Sequence, residues 1–191
     1  RSLLEKRAST RDASLIREVW RWVPQHVQLQ EAVVGVYCRG MIDAGVGQEV
    51  EEPLRLALGR EWTPEMLALY GRIEAEDPQK QLQHVQEWLG PHREDPALFA
   101  LLARLAVKAG QEARAIEFAR TSLSLQPLPE ALKILGDVLY SRRDEVGASR
   151  LYRQGLRLAH GEAFEPETVE RALELLAPIA VAAPVPEGHP G

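Results

Sequence analysis

Apolar residues recur along most of the chain at spacings of three and four, the periodicity of an amphipathic helix. In LALYGRIEAEDPQKQLQHVQEWLGPH, residues 67–92, the apolar stripe of Leu67, Tyr70 and Ile73 stops at an acidic run, and Pro78 opens a second helical pattern. Strand-forming residues in alternation with polar ones are scarce, while Leu, Ala, Glu, Arg and Gln are frequent. Because these are good helix formers, we predict an all-α protein.

The helical patterns repeat along the chain. When residues 95–127 are aligned over residues 129–160, small residues coincide, as Ala103 does with Gly136, 33 positions later. A small residue at a helix crossing lets two backbones approach, while large neighbours fill the space beside it. Each of these two units is therefore predicted to be a pair of packed helices.

Within a unit, a large residue precedes a Leu-small pair, and a turn, a second small residue and a late Leu follow. This order resembles the tetratricopeptide pattern. Two weaker copies precede these units, and Pro53 in the first copy predicts a kinked second helix. The resemblance implies an α-α superhelix of four units, at about 31–62, 64–94, 95–127 and 129–160.

Three segments fall outside the four units. The Trp-rich stretch SLIREVWRWVP places a remnant of a preceding helical unit in residues 1–27. After Pro166, an apolar stripe predicts a capping helix over residues 163–177. The Pro-rich residues 178–191 cannot continue a helix and are predicted to be a disordered tail.

Four motifs give a more specific resemblance. REVWRWVP, LALGREW, LYGRIEAEDPQKQLQHVQEWL and DPALFALLARLAVKAGQ follow one another in this order. Residues 17–160 thereby resemble HemY-type tetratricopeptide proteins, bacterial inner-membrane proteins linked to the late steps of heme biosynthesis. The resemblance implies a non-enzymatic protein-binding scaffold that supports protoheme synthesis. It also implies a soluble domain on the cytoplasmic side of the membrane. The chain begins with Arg1 rather than Met, so we expect a fragment or a processed form, and the resemblance implies two transmembrane helices upstream.

Charge and cysteine content narrow the function further. The chain has 23 Lys and Arg against 28 Asp and Glu, a formal net charge of −5, so nonspecific attraction to nucleic acid is not expected. Acidic residues alternate with the basic ones in the last unit, which predicts a solvated helix surface there. Cys38 is the only cysteine, which excludes an intrachain disulfide and a thiolate metal cluster.

The acidic run and two histidines invite a metal-site interpretation. The residues concerned are Glu74, Glu76, Asp77, His84 and His92. Their spacing matches no HExxH or EF-hand motif, so no metal is expected. The preferred interpretation is a helix stop and restart in which Asp77 caps the helix that Pro78 opens. Asp95 and Pro96 predict the same cap for the next helix.

Heme chemistry is the alternative that the sequence leaves open. Trp62 and Trp88 fall at helix ends and are predicted to lie in the core or to wedge between units, whereas Trp20 and Trp22 cannot both face one core. His26 or Cys38 could ligate iron, but there is no CxxCH motif. We expect no cofactor, and a porphyrin- or heme-binding carrier remains the second hypothesis.

The repeat register predicts a binding face. Arg39, Arg72 and Arg104 directly follow the small position of the first helix in three successive units, a position that faces the concave groove in tetratricopeptide arrays. The remaining candidates along this face are Lys108, Lys133 and Tyr140. Guanidinium groups spaced in this way suit a protein partner, either heme-biosynthesis enzymes or an extended acidic peptide. The alternative is that each arginine pairs with a neighbouring carboxylate and is structural.

Overall fold

The computed structural model describes residues 4–6, 12–28 and 30–176, and all regular secondary structure in these ranges is helical. The all-α prediction is therefore confirmed for this part of the chain. A 3₁₀ helix, Gly47–Val50, directly precedes the α-helix Glu51–Leu58. The α-helices from residue 13 onwards are α1 (Ala13–Trp22), α2 (Gln25–Gln28), α3 (Glu31–Asp43), α4 (Glu51–Leu58), α5 (Pro64–Tyr70), α6 (Pro78–Gln86), α7 (Leu89–His92), α8 (Pro96–Lys108), α9 (Glu112–Leu125), α10 (Pro129–Ser141), α11 (Glu145–Ala159) and α12 (Pro166–Leu176).

The helices pack mainly against their neighbours along the chain. Helix α8 packs along α9, and α10 packs along α11, while α12 contacts both α10 and α11. The second unit is less regular, because α5 ends after seven residues and packs on α4 and α8, whereas α6 lies against α8. The predicted tail, residues 178–191, lies outside the described residues.

Side-chain caps define where several helices begin. Asp77 Oδ1 accepts a hydrogen bond from the backbone N–H of Lys80 at 3.0 Å, and Pro78 stands at the first helical position. Asp95 Oδ1 accepts from two backbone N–H groups at the start of α8. Both caps were predicted, and both are confirmed. Pro53 lies in the first turn of α4, where its missing N–H costs no helical hydrogen bond, so it does not interrupt this helix. The irregular segment before α4 is the 3₁₀ helix.

Four of the described helices are each followed by a residue with a left-handed backbone conformation. Gly45, Gly110 and Gly161 have φ of 79°, 71° and 79°, a region that is costly for residues with a Cβ. Arg143, between α10 and α11, adopts φ 69° in the position that Gly110 holds in the preceding pair. This turn is therefore strained by its arginine.

Two apolar clusters form the core. The first extends from α1 to α9, and the second joins α8 to α12. Val169, Ala172 and Leu176 of α12 are buried in the second cluster, which confirms the apolar stripe predicted after Pro166. None of the described helices is long and apolar enough to cross a bilayer.

Candidate functional site

An open groove of about 640 Å³ runs along one side of the helices. Its walls come from α3, α8, α10 and the turn after α5. Helices α4, α6, α9 and α11 contribute no residue to this lining. The lining residues are Ile42, Asp43, Gly71, Arg72, Glu74, Arg104, Val107, Lys108, Glu130, Lys133, Ile134 and Asp137.

The structure brings four of the six predicted residues together in this groove, namely Arg72, Arg104, Lys108 and Lys133. Arg39 is exposed on α3 but does not line the groove, which begins one turn later on that helix. Tyr140 is exposed in the last turn of α10, one turn beyond the lining residues of that helix.

The two groove arginines pair with carboxylates from neighbouring units. Arg72 Nη2 lies 2.5 Å from Asp43 Oδ1 at the end of α3. Arg104 Nε donates to Glu130 Oε1 at 2.8 Å, across to the first turn of α10. Each guanidinium therefore links the unit that carries it to an adjacent one.

The two groove lysines are also paired. Lys108 Nζ lies 3.0 Å from Glu74 Oε1 and donates to the backbone carbonyl of Ile73 at 3.1 Å. It thus places a positive charge beside carbonyls of the turn that ends α5, where such a charge is favourable. Lys133 Nζ donates to Asp137 Oδ2 at 2.6 Å, one turn along the same helix.

The groove is consequently balanced in charge, with four cations facing four carboxylates. The sequence predicted its basic side but not its acidic one. Ion pairs at this level of exposure contribute about 0–1 kcal/mol each. A ligand that supplies its own charges can therefore exchange with them at little cost.

Tyr152 of α11 does not line the groove but contacts its residue Asp137, and sequence reasoning missed it. Its hydroxyl donates to Asp137 Oδ1 at 2.8 Å, and burial together with this hydrogen bond raises the pKa of Tyr152 to about 12. Its ring occupies the space beside Gly136. Alignment of the two helix pairs could have revealed this contact. The preceding pair has Ala103 and Ala119 where this pair has Gly136 and Tyr152.

The residues that invited a metal-site interpretation are dispersed. Glu74 pairs in the groove, Asp77 caps α6, and the His92 ring stacks on Trp62 with centroids 3.5 Å apart. His84 Nδ1 lies 3.5 Å from a Glu51 carboxylate oxygen, without hydrogen-bond geometry. Within the described ranges, no three His, Cys, Asp or Glu residues gather in a way that could hold a metal ion.

The Glu51 carboxylate also joins two units. The oxygen that faces His84 accepts a hydrogen bond from the Tyr70 hydroxyl at 2.8 Å. Burial, and then this hydrogen bond, raise the pKa of Tyr70 far above its ordinary range. Tyr70 therefore stays protonated and ties α5 to α4.

The tryptophans have the placements that the sequence predicted. Trp62 donates from Nε1 to Asp95 Oδ2 at 2.5 Å and meets Trp88 edge to face, so both wedge between units. Trp20 stacks on Tyr37 with centroids 4.0 Å apart, whereas Trp22 is 81% exposed. These two rings therefore do not share one face.

The two candidate heme ligands lie in different surroundings. Cys38 is fully buried in α3, and burial raises the pKa of its thiol to about 12. Ligation of iron by Cys38 would require the core to open. His26 is exposed on the short helix α2.

In the last pair, Arg142 and Arg157 are tied to acidic side chains. Arg142 Nη2 donates to Glu112 at 2.6 Å, and Arg157 pairs with Glu162 and Glu165. This is the mixed, solvated surface that the alternating charges predicted.

Models of known protein families, curated proteins and solved structures give no match to the chain. The likeness to HemY-type proteins is therefore carried only by the motifs in the sequence.

Proposed function

We propose that the chain is a non-enzymatic scaffold of tetratricopeptide type that holds an extended segment of a partner protein in its groove. One observation carries this proposal. The groove is lined by the first helices of successive units and by the turn after α5, while the second helices contribute no lining residue. This is how a superhelical array presents a concave binding face.

The charge balance specifies the partner more narrowly than the sequence did. Arg72 and Arg104 can each make bidentate contacts to a carboxylate, which a lysine cannot do. Glu74 and Asp43 offer acceptors to cations of the partner. We therefore propose a segment with charges of both signs in place of a purely acidic peptide.

The HemY-type motifs supply the proposed setting. From the resemblance to HemY-type proteins, we propose that the scaffold belongs to a bacterial inner-membrane protein that supports late heme biosynthesis. Its proposed partners are enzymes of that pathway. The buried Cys38 and the dispersed histidines give no independent support to a heme carrier.

The test is cross-linking of the full-length protein in cells, followed by mass spectrometry of the linked partners. The double variant Arg72→Glu/Arg104→Glu should lose partners that the unmodified protein retains. The matched control, Arg120→Glu/Arg153→Glu, reverses the same charge at exposed positions on α9 and α11 that form no ion pair within the described residues.

Two further measurements make the outcome decisive. Arg72→Gln/Arg104→Gln removes the charge without adding repulsion towards Asp43 and Glu130, and circular dichroism checks that each variant folds. If both groove variants keep every partner that the control keeps, the groove is not the binding face and the proposal is wrong.

A further inference from the structure

The groove continues at its α10 end into an apolar pocket of about 330 Å³. Glu130 and Lys133 line both the groove and the pocket, so the two are continuous. The other walls include Pro129, Tyr152 and Leu156. A chain that lies in the groove therefore passes the mouth of this pocket.

The preceding helix pair shows that this pocket is an uncovered packing site. Leu123, which lies 33 residues before Leu156 in the repeat register, is 8% exposed, whereas Leu156 is 65% exposed. Helix α10 begins at Pro129, packs on α9 and shares a core cluster with Leu123. A helix in the same repeat register, 33 residues after Pro129, would begin at residue 162.

Helix α12 begins only at Pro166, and residues 162–165 are not helical. The first turn that would cover Leu156 is therefore missing. Burial of a leucine of this exposure is favourable, so the pocket offers binding energy that the fold has not used.

Tyr152 fixes the pocket wall to the charged groove. The preceding pair packs with Ala103 and Ala119, which shows that the repeat does not need a large ring here. Gly136 makes room for the ring, and the Tyr152 hydroxyl holds the same Asp137 carboxylate that pairs with a groove lysine. The apolar wall and the ion pairs are thus one connected surface.

We propose that this pocket takes one large apolar side chain, leucine or an aromatic residue, at one end of the partner segment. The charged residues of both signs next to this anchor then meet the ion pairs of the groove. The proposal rests on the proposed function and names the partner more closely. Glu130 and Lys133 line both the pocket and the groove. The neighbours of a side chain that enters the pocket would therefore lie beside these two charged residues.

The test measures fluorescence anisotropy of labelled synthetic peptides with the whole chain. The peptides alternate Lys and Glu and carry a single Leu at either end, and the reference peptides have Ser in its place. Leu peptides should bind about tenfold more tightly, because an apolar side chain is removed from water. Leu156→Glu should abolish this preference.

Val146→Glu is the matched control. Val146 is also 65% exposed on α11, but it lines neither the groove nor the pocket. It should keep the preference for Leu peptides. Because both positions are exposed, both variants are expected to fold, and circular dichroism checks this.

The possible outcomes separate the anchor from the groove. If the preference for Leu survives Leu156→Glu, the anchor is wrong, and Arg72→Glu/Arg104→Glu still decides the groove. If no Leu peptide binds, the anchor is wrong, and cross-linking of partners with Arg72→Glu/Arg104→Glu still decides the groove. If sedimentation shows a dimer that Leu156→Glu dissociates, a second copy of the chain fills the pocket and the proposal is overturned.

Discussion

At the scale of single residues, Arg143 carries backbone strain that its glycine counterparts avoid. A left-handed conformation costs a residue with a Cβ about 1–2 kcal/mol. We expect Arg143→Gly to raise the free energy of unfolding by about 1 kcal/mol, because this side chain is exposed and forms no ion pair within the described ranges. Urea denaturation measures the change.

The same substitution elsewhere should have the opposite sign. Arg153 is exposed in the middle of α11, where glycine costs about 1 kcal/mol of helix stability. Arg153→Gly should therefore lower the urea midpoint. A decrease for Arg143→Gly as well would show that the arginine at φ 69° makes contacts that outweigh its strain.

Cys38 predicts a pH dependence of stability. Burial raises the pKa of its thiol from 9.0 to about 12, so the unfolded state releases this proton first as pH rises. The contribution of Cys38 is fully present below about pH 9 and is lost as pH rises towards 12. The urea midpoint should fall as pH rises above about 9, and more steeply than in Cys38→Ala.

Comparison with Cys38→Ala isolates the thiol, because lysines and tyrosines titrate in both proteins. The native thiol should also resist Ellman's reagent at about pH 8 and react after addition of urea. Equal slopes in the two proteins, together with rapid labelling in the native state, would contradict the buried placement.

At the scale of helices, the crossing of α10 and α11 depends on Gly136. A Cβ added there would lie 2.5 Å from the Tyr152 ring. Gly136→Ala should lower the free energy of unfolding by about 1–3 kcal/mol, since a packed crossing cannot take the extra methyl group. Tyr152→Ala should relieve this clash, because the double variant restores the Ala-Ala pair of the preceding crossing.

A double-mutant cycle by urea denaturation tests this compensation. The double variant should be at least about 1 kcal/mol more stable than the sum of the two single effects predicts. Gly35→Ala is the control, because its Cβ would meet only Met66 Cε at 3.7 Å and should add about 0.5–1 kcal/mol. Additive effects would mean that the crossing adjusts without help from Tyr152.

The same helices show how far the sequence could predict the structure. Asp77 and Asp95 each cap the helix that the following proline opens, so local chemistry sufficed there. The partners of Arg72 and Arg104 could not be predicted, because Asp43 and Glu130 lie 29 and 26 residues away on other helices. Their pairing depends on how successive units are displaced, which the periodicity within one unit does not contain.

Repeat register predicted four of the residues that line the groove, but it did not predict where the first helix of the second unit ends. Helix α5 ends at Tyr70, so Arg72 leaves from a turn and reaches back to α3. The groove consequently starts near Asp43, and Arg39 falls outside it. Deviations of this kind follow from helix length, which repeat register alone does not determine.

At the scale of the whole molecule, helices pack mainly against their neighbours along the chain. We therefore expect a destabilising substitution to loosen mainly the helices near it. Leu132 lies in the second core cluster and Leu54 in the first, and both are fully buried. Replacing either by alanine should cost about 2–5 kcal/mol. Because each helix packs mainly against its neighbours along the chain, the loss should be greatest near the substitution.

Hydrogen exchange measured by mass spectrometry tests this expectation. Leu132→Ala should speed exchange in α10–α12 more than in α3–α5, and Leu54→Ala should produce the reverse pattern. The α8–α9 pair, in which the two clusters meet, should respond to both substitutions. Equal acceleration throughout the chain after either substitution would instead mean that the helices unfold as one cooperative unit.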